Sequence, residues 1–288
     1  MQVISSQSAP KPFLKIRPTS GWAALNIGEA WQFRDLLFSL AGRDVKLRYK
    51  QTALGVAWVV LQPLLAAGIF SFVFGKVARL SSGGVPYFLF SYCGLLAWNT
   101  FGNTLTKTST CLIGNAQLIS KVYFPRVILP FSTVPSTLID FSVAMAMLAV
   151  LMPLYGIVPG IGILLLPVWL FLILLLAVGV GLIASALSVS YRDVQYILPV
   201  ITQLLLYASP VAYSAQSVID KVSHKLLVMY YLNPLTGLLE AFRWSLLGSA
   251  GGSLQWKSLA YSTAVCVVTF ILGMFAFKMM ERKFADVI

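Results

Sequence analysis

Few side chains in this sequence are placed to do chemistry, and Asp140 is the sharpest of them. It lies deep in an apolar stretch, roughly 20 Å from Val127 if the segment is helical. An ionisable group at that depth is costly and faces protein or water, not lipid. Thr133, Ser136, Thr137 and Asp140 fall on one helical stripe. Asn99 and Asn103 sit at a similar depth in the preceding apolar segment, which makes them the expected partners. Two roles suit Asp140, a pore-lining or proton-sensitive group and a hydrogen-bonded contact between helices, and the contact fits better. A contact would tolerate Asn, which keeps most hydrogen bonds, and would suffer from Leu. The single histidine, His224, stands between Ser223 and Lys225, far from Asp140 in sequence. Cys93, Cys111 and Cys266 are odd in number, lie in apolar stretches and match neither metal-ligand nor disulfide spacing. They read as small buried hydrophobes. No Gly-x-x-x-x-Gly-Lys-Ser/Thr sequence occurs, so the chain does not cradle ATP in the P-loop manner. A membrane-embedded acyl- or glycosyltransferase would need a catalytic constellation at headgroup level, and none is visible.

The elements that hold these residues are set by composition. Of 288 residues, 58% are hydrophobic and 10% charged, with a mean hydropathy of +0.84. Soluble domains carry about 25% charged residues, so lipid is the outer solvent here. The junction from Arg43 to Leu65 shows how: Arg43, Lys46, Arg48 and Lys50 run directly into an apolar stretch that continues to Gly75. That stretch is long enough to cross a bilayer, and the basic flank holds its start in the cytoplasm. The formal charge of +12 sits mainly beside such stretches, which points to topology and anionic lipid and excludes nucleic acid as a partner. The reading is an all-α integral membrane protein with six transmembrane helices, near 53–75, 87–113, 127–152, 161–187, 195–213 and 258–278. Basic residues flank the cytoplasmic ends, which places both termini inside.

Residues 1–21 read as a mobile cytoplasmic tail. The first twenty residues have Pro10, Pro12 and Pro18 and no apolar core, so the first span is expected to serve as a retained insertion signal. Residues 22–52 form an amphipathic interfacial helix region, because Phe33, Leu36, Leu37 and Leu40 share one helical face; a cap packed on its own chain has the same periodicity. Residues 53–288 form the six-span domain. Its outer segment, about 214–257, is broken at Asn233-Pro234 and suits short re-entrant outer helices between spans five and six. Within it Glu240 and Arg243 stand at i, i+3, as a gate brace or a solvated helical pair. Aromatic residues, 13% of the chain, gather near Tyr87–Trp98 as interfacial belt residues, with others free to face a pathway.

Four stretches then carry a family resemblance: Tyr49–Gly55 with Gln62-Pro63-Leu64, Asn115–Arg126, Tyr191-Arg192-Asp193-Val194, and Leu232–Gly237 with Glu240, Phe242 and Arg243. In this order and spacing the chain resembles the membrane subunit of an ABC-type polysaccharide exporter, the group that includes O-antigen, capsule and teichoic-acid permeases. The resemblance covers about residues 30–285. It implies a multi-pass permease of the bacterial inner membrane that moves a lipid-linked polysaccharide. It implies a homodimer with two copies of a cytoplasmic ATPase, which holds ATP and Mg; the chain itself has no cofactor and no metal. A drug or small-lipid exporter of the same superfamily is the alternative.

The resemblance also implies roles. Leu118, Lys121, Tyr123, Phe124 and Arg126 would dock on the ATPase, with Arg192 and Asp193 as a second contact or a local ion pair. Arg43, Lys46, Arg48 and Lys50 lie where an anionic headgroup would arrive. Trp58, Phe70 and Tyr207 are expected to line the channel, where ring faces meet sugar C–H groups. Asn233, Pro234, Glu240 and Arg243 would form an outer gate.

Overall fold

The computed structural model describes residues 31–50, 57–214, 228, 230–252 and 254–287. The expected tail at 1–21, His224 and most of the outer stretch before Asn233 lie outside the described residues. Helices make up most of the described residues, as expected where backbone N–H and C=O groups must be satisfied inside each segment.

Among the described residues nine α-helices follow one another. α1 spans Arg34–Lys50 and α2 spans Ala57–Phe70, continued by a π-helical stretch at Ser71–Val77. α3 spans Tyr87–Gly114, α4 is the short Ala116–Lys121, and α5 spans Ile128–Leu154. A 3-10 turn at Ile161–Leu165 leads into α6, Leu166–Ser190. α7 is Val194–Ala208, α8 is Pro234–Leu247, and α9 is Trp256–Val287. Helix α3 is the hub, packed on α5, α6 and α2, while α9 lies along α6 and α1 along α5.

Two buried clusters fix the directions of the helices. At one end Leu40 of α1, Leu112 of α3, Phe124, Ile128 of α5, Leu182 of α6 and Phe277 of α9 pack together. The N-terminal part of the described chain and the end of α9 therefore share one end of the bundle. The larger cluster fills the rest, from Ala67 through Tyr92, Trp98, Leu148 and Ile173 to Phe242. Small residues let the backbones approach. A Cβ on Gly273 would stand 2.3 Å from the Gly179 carbonyl oxygen, so α6 and α9 cross in near backbone contact there.

Among the described residues four helices are long and apolar enough to cross a membrane: Ala57–Val77, Ile128–Leu154, Ile161–Ser190 and Trp256–Glu281. Two of the six expected spans differ from this type for physical reasons. Helix α3 has 28 residues, roughly 42 Å at 1.5 Å per residue, but its polar side chains lower its apolarity; it buries Thr100, Thr104, Thr108 and Ser109 against neighbours and leaves Asn103 and Thr106 exposed. Helix α7 has 15 residues, roughly 22 Å, against a hydrocarbon core of about 30 Å.

The apolar stripe on α1 packs on the chain itself: Leu40 is buried, and Phe33, Leu36 and Leu37 lie against the same cluster. Two further expectations are corrected. Phe90, Tyr92 and Trp98 are not a belt but core, with Tyr92 Oη donating to the Ala144 carbonyl at 3.0 Å. Glu240 and Arg243 are not a solvated pair, since both are buried. All three cysteines are free and buried.

Candidate functional site

Asp140 lies within α5 and is buried. Its Oδ2 accepts from two cations, Arg48 Nη1 at 2.5 Å and Lys107 Nζ at 3.1 Å. Lys107 also donates to Ser136 Oγ at 3.0 Å. Three helices thus meet at one carboxylate: α1 brings Arg48, α3 brings Lys107 and α5 brings Asp140. The expected stripe on α5 is buried, and Thr133 Oγ1 meets Thr108 Oγ1 of α3 at 3.0 Å. The other hydroxyls are taken up locally. Thr100 donates to the Leu96 carbonyl, Thr104 to that of Thr100, and Thr137 to that of Thr133. Such back-bonding satisfies hydroxyls inside an apolar bundle at little cost.

Beside Asp140 opens a cleft of about 50 Å³. Arg48, Asp140, Asn99, Asn103 and Gln62 line it, with Pro63, Leu96 and Phe141 among its apolar walls. Asn99 and Asn103 therefore share the cleft with Asp140, as their expected depth implied, while the carboxylate is held by cations. Lys107 is the partner that sequence reasoning missed as more than a span-end charge. Asn99, Asn103 and Lys107 stand at successive i+4 positions, one face of α3, and that spacing marks the lysine as part of the polar stripe.

The remaining basic residues of α1 separate by role. Arg43 Nη2 donates to Asp44 at 2.9 Å and to Asn115 Oδ1 at 2.8 Å, which ties α1 to the α3–α4 corner. Asn115 closes the corner by donating to the Cys111 carbonyl. Lys46 and Lys50 are exposed. Arg48, expected in the same headgroup row, instead reaches Asp140.

At the α4 corner the two neighbouring aromatics part ways. Phe124 is buried in the cluster with Leu112 and Ile128, whereas Tyr123 is 72% exposed. Leu118 packs partly on that cluster and Lys121 is exposed. Arg126 clamps the end of α9: Nη1 donates to the Glu281 carbonyl, and its backbone N–H donates to Glu281 Oε1 at 3.4 Å. Arg192 and Asp193 form an exposed turn between α6 and α7.

At the opposite end Arg243 of α8 is buried to 1%. Its Nη2 donates to the Pro210 carbonyl and its Nη1 to that of Tyr213 at 3.5 Å. The guanidinium stacks on Phe90, 4.1 Å from the ring centroid. Tyr87 Oη donates to the Ala212 carbonyl and Asn233 Nδ2 to Ser209 Oγ at 2.8 Å. Asn233 Oδ1 also accepts from Leu235 N, capping α8, with Pro234 in its first turn. Three side chains, one from α3 and two from α8 and its cap, thus grip the buried turn that follows α7. Gly94 makes room for it, because a Cβ there would meet the Val211 carbonyl oxygen at 2.4 Å. Of the expected channel residues, Trp58 and Tyr207 are exposed by half or more, and Phe70 packs edge-on to Phe74.

Residues 35–247 match the family model described as ABC-2 type transporter. The chain is 29% identical over 262 residues to an O-antigen export system permease protein RfbA of Klebsiella pneumoniae, covering 88% of this chain and 95% of the relative. It is 31% identical over 217 residues to the protein of the same name from Myxococcus xanthus, covering 75% and 82%. A polysialic acid transport protein KpsM of Escherichia coli is 21% identical over 245 residues, covering 83% and 91%. The family model spans the hub helix, the Asp140 cleft, the α4 corner and the Arg243 turn, and this chain belongs to the ABC-2 type transporter family.

Proposed function

We propose that this chain is the permease subunit of an ATP-driven exporter that carries a lipid-linked polysaccharide, of the O-antigen type, from the cytoplasm to the outer side of the inner membrane. The observation that carries this reading is the similarity to O-antigen export permeases along nearly their whole length. The helical bundle supports it, with four apolar helices and a hub helix that carries polar residues within its span. Expression with a cognate ATPase in cells that lack export should restore ATP-dependent appearance of the glycan outside. Export of lipid without attached sugar would sink the reading.

In this reading α3 and α7 complete six spans, and both termini are cytoplasmic. That places the α4 corner, α1 and the end of α9 on the cytoplasmic side and the Arg243 turn outside. ATP and Mg belong to a separate ATPase. Six helices make a thin conduit, so two copies of this chain form the pathway around a twofold axis. Helices α2 and α7 support that assembly: α2 with its π-helical continuation exposes a row of large apolar side chains, including Leu65, Ile69 and Phe72, and α7 exposes Val200 and Leu204. The purified complex should contain two permeases and two ATPases by native mass spectrometry. A fully active complex with one of each would overturn this.

The α4 corner is the proposed coupling element. Phe124 holds the corner on the bundle, and Tyr123, with Lys121, is the surface offered to the ATPase. Tyr123→Ala should lower transport-coupled ATP hydrolysis about tenfold, as for an exposed aromatic anchor, and leave thermal unfolding of the permease unchanged. Phe124→Ala should instead lower the unfolding temperature, at a cost of about 3 kcal/mol for a buried phenylalanine. Equal effects of the two on coupling and none on stability would contradict this division.

A further inference from the structure

The cleft beside Asp140 has donors to spare. Arg48 has five N–H groups and, among the described residues, a single hydrogen bond, to Asp140. The amides of Asn99, Asn103 and Gln62 line the cleft and make no hydrogen bond among the described residues. Lys107 stands behind the carboxylate, bound to it and to Ser136. Two cations therefore share one carboxylate oxygen, and the trio carries one excess positive charge toward the cleft.

Such a group is costly where it stands. Gln62 sits in the apolar first half of α2 and, like Asn103, is exposed on the bundle. Polar side chains on the flank of an apolar helix need a polar occupant or water. The volume, about 50 Å³, exceeds the 10–15 Å³ that one water requires. Lys107 lies seven positions before the end of α3, roughly 10 Å along the helix. The seat itself is deeper, since Asn103 and Asn99 lie 11 and 15 positions before that end, roughly 16 and 22 Å along the helix, so a lipid phosphate reaches it by leaving the headgroup level and entering the span along the flank of α1 and α2.

We infer that the cleft between α1, α2, α3 and α5 seats a phosphate group of a membrane lipid, through Arg48 and the amides of Asn99, Asn103 and Gln62. The inference rests on the export reading, because a lipid-linked glycan brings such a group with it. Arg48 supplies the charge and a planar fork that matches phosphate oxygens. The amides donate to the remaining oxygens. Asp140 fixes the guanidinium in place, and Lys107 keeps that carboxylate from repelling the ligand. The headgroup seat is thus this cleft and not the exposed row of Lys46 and Lys50.

The test uses the permease with its ATPase in phosphatidylcholine nanodiscs and farnesyl diphosphate as probe. Wild type should bind it saturably. Arg48→Gln should weaken binding at least about tenfold, the loss of one charge-assisted bond. The Asn99→Ala/Asn103→Ala double variant should weaken it about threefold to tenfold at an unchanged unfolding temperature, since these amides hold nothing in the fold. Lys46→Gln should have little effect. A second set of discs containing phosphatidylglycerol identifies the source: competition assigns the seat to bulk anionic headgroups, and its absence to the diphosphate lipid. Binding that is unsaturable, or equal in wild type and both cleft variants, overturns the inference. Glycan export by wild-type cells is measured in parallel. If export persists while the cleft fails, the export reading stands alone; if wild type exports no glycan, that reading fails on its own.

Discussion

Asp140→Leu is expected to destabilise the folded permease by about 2–4 kcal/mol, somewhat below the range for removing one partner of a fully buried ion pair. The discount reflects exposure: the Arg48 and Lys107 side chains are 38% and 27% accessible, while Asp140 is 6%. Leu leaves both cations without their shared acceptor beside a buried stretch of α5. Asp140→Asn is the sharper test. A neutral contact between helices would survive it, because Asn keeps two hydrogen-bonding groups. Here the carboxylate offsets two positive charges at one oxygen, so Asn leaves them repelling each other and costs roughly 1–2 kcal/mol. Adding Lys107→Met to Asp140→Asn should recover part of that loss, which a double-mutant cycle on thermal unfolding reads as a coupling energy of about 1 kcal/mol. If Asp140→Asn unfolds at the wild-type temperature, Asp140 is an ordinary polar contact and the charge argument fails.

That difference shows how far the sequence could be read. Depth along a helix is a count of residues, and the count places Asp140, Asn99 and Asn103 together, as they are in the cleft. What a count along each helix does not give is which helix arrives from elsewhere. Arg48 lies 92 positions from Asp140, in a segment whose charges suit the membrane surface equally well. Its reach into the bundle follows from the packing of α1 on α5, which the apolar stripe of α1 permits but does not specify. Lys107 was within reach of the sequence, since it extends the Asn99–Asn103 face by one turn. Tyr123 and Phe124 show the limit from the other side. Adjacent aromatics at a corner look alike in sequence, and only the turn into α5 decides that one is core and the other surface. The span count has a similar origin. A hub helix buried among others does not need to be apolar all round, so α3 carries polar residues that a lipid-facing helix would exclude.

Arg243→Met should have the second large effect, again about 2–4 kcal/mol of stability, and its consequences should localise to the turn after α7. The side chain is among the largest that are fully buried, and it does three things at once. It donates to the carbonyls of Pro210 and Tyr213, covers the face of Phe90, and stands near the buried carboxylate of Glu240. Met fills much of the volume and keeps contact with Phe90. It leaves two carbonyls of a buried turn without their donor, at about 1–3 kcal/mol each before relaxation, and it removes the positive charge beside Glu240. Arg243→Lys keeps the charge but not the fork, and one ammonium cannot lie flat on the ring and bridge two carbonyls, so it should recover less than half of the loss. Asn233→Ala removes a helix cap and one hydroxyl contact and should cost about 1–2 kcal/mol. The expected order is therefore Met, then Lys, then the Asn233 variant. Hydrogen exchange at Ser209 and at residues 211–213 supplies the readout: in Arg243→Met these amides should exchange faster by a factor of about ten or more, while those of α5 stay protected. In the export reading this turn closes the outer end of the pathway, so the same variant should also let a small membrane-impermeant thiol reagent reach a cysteine placed at Val211 without ATP. Uniform loss of protection through the whole bundle would assign Arg243 to the core alone and remove the outer turn as a separate, movable element.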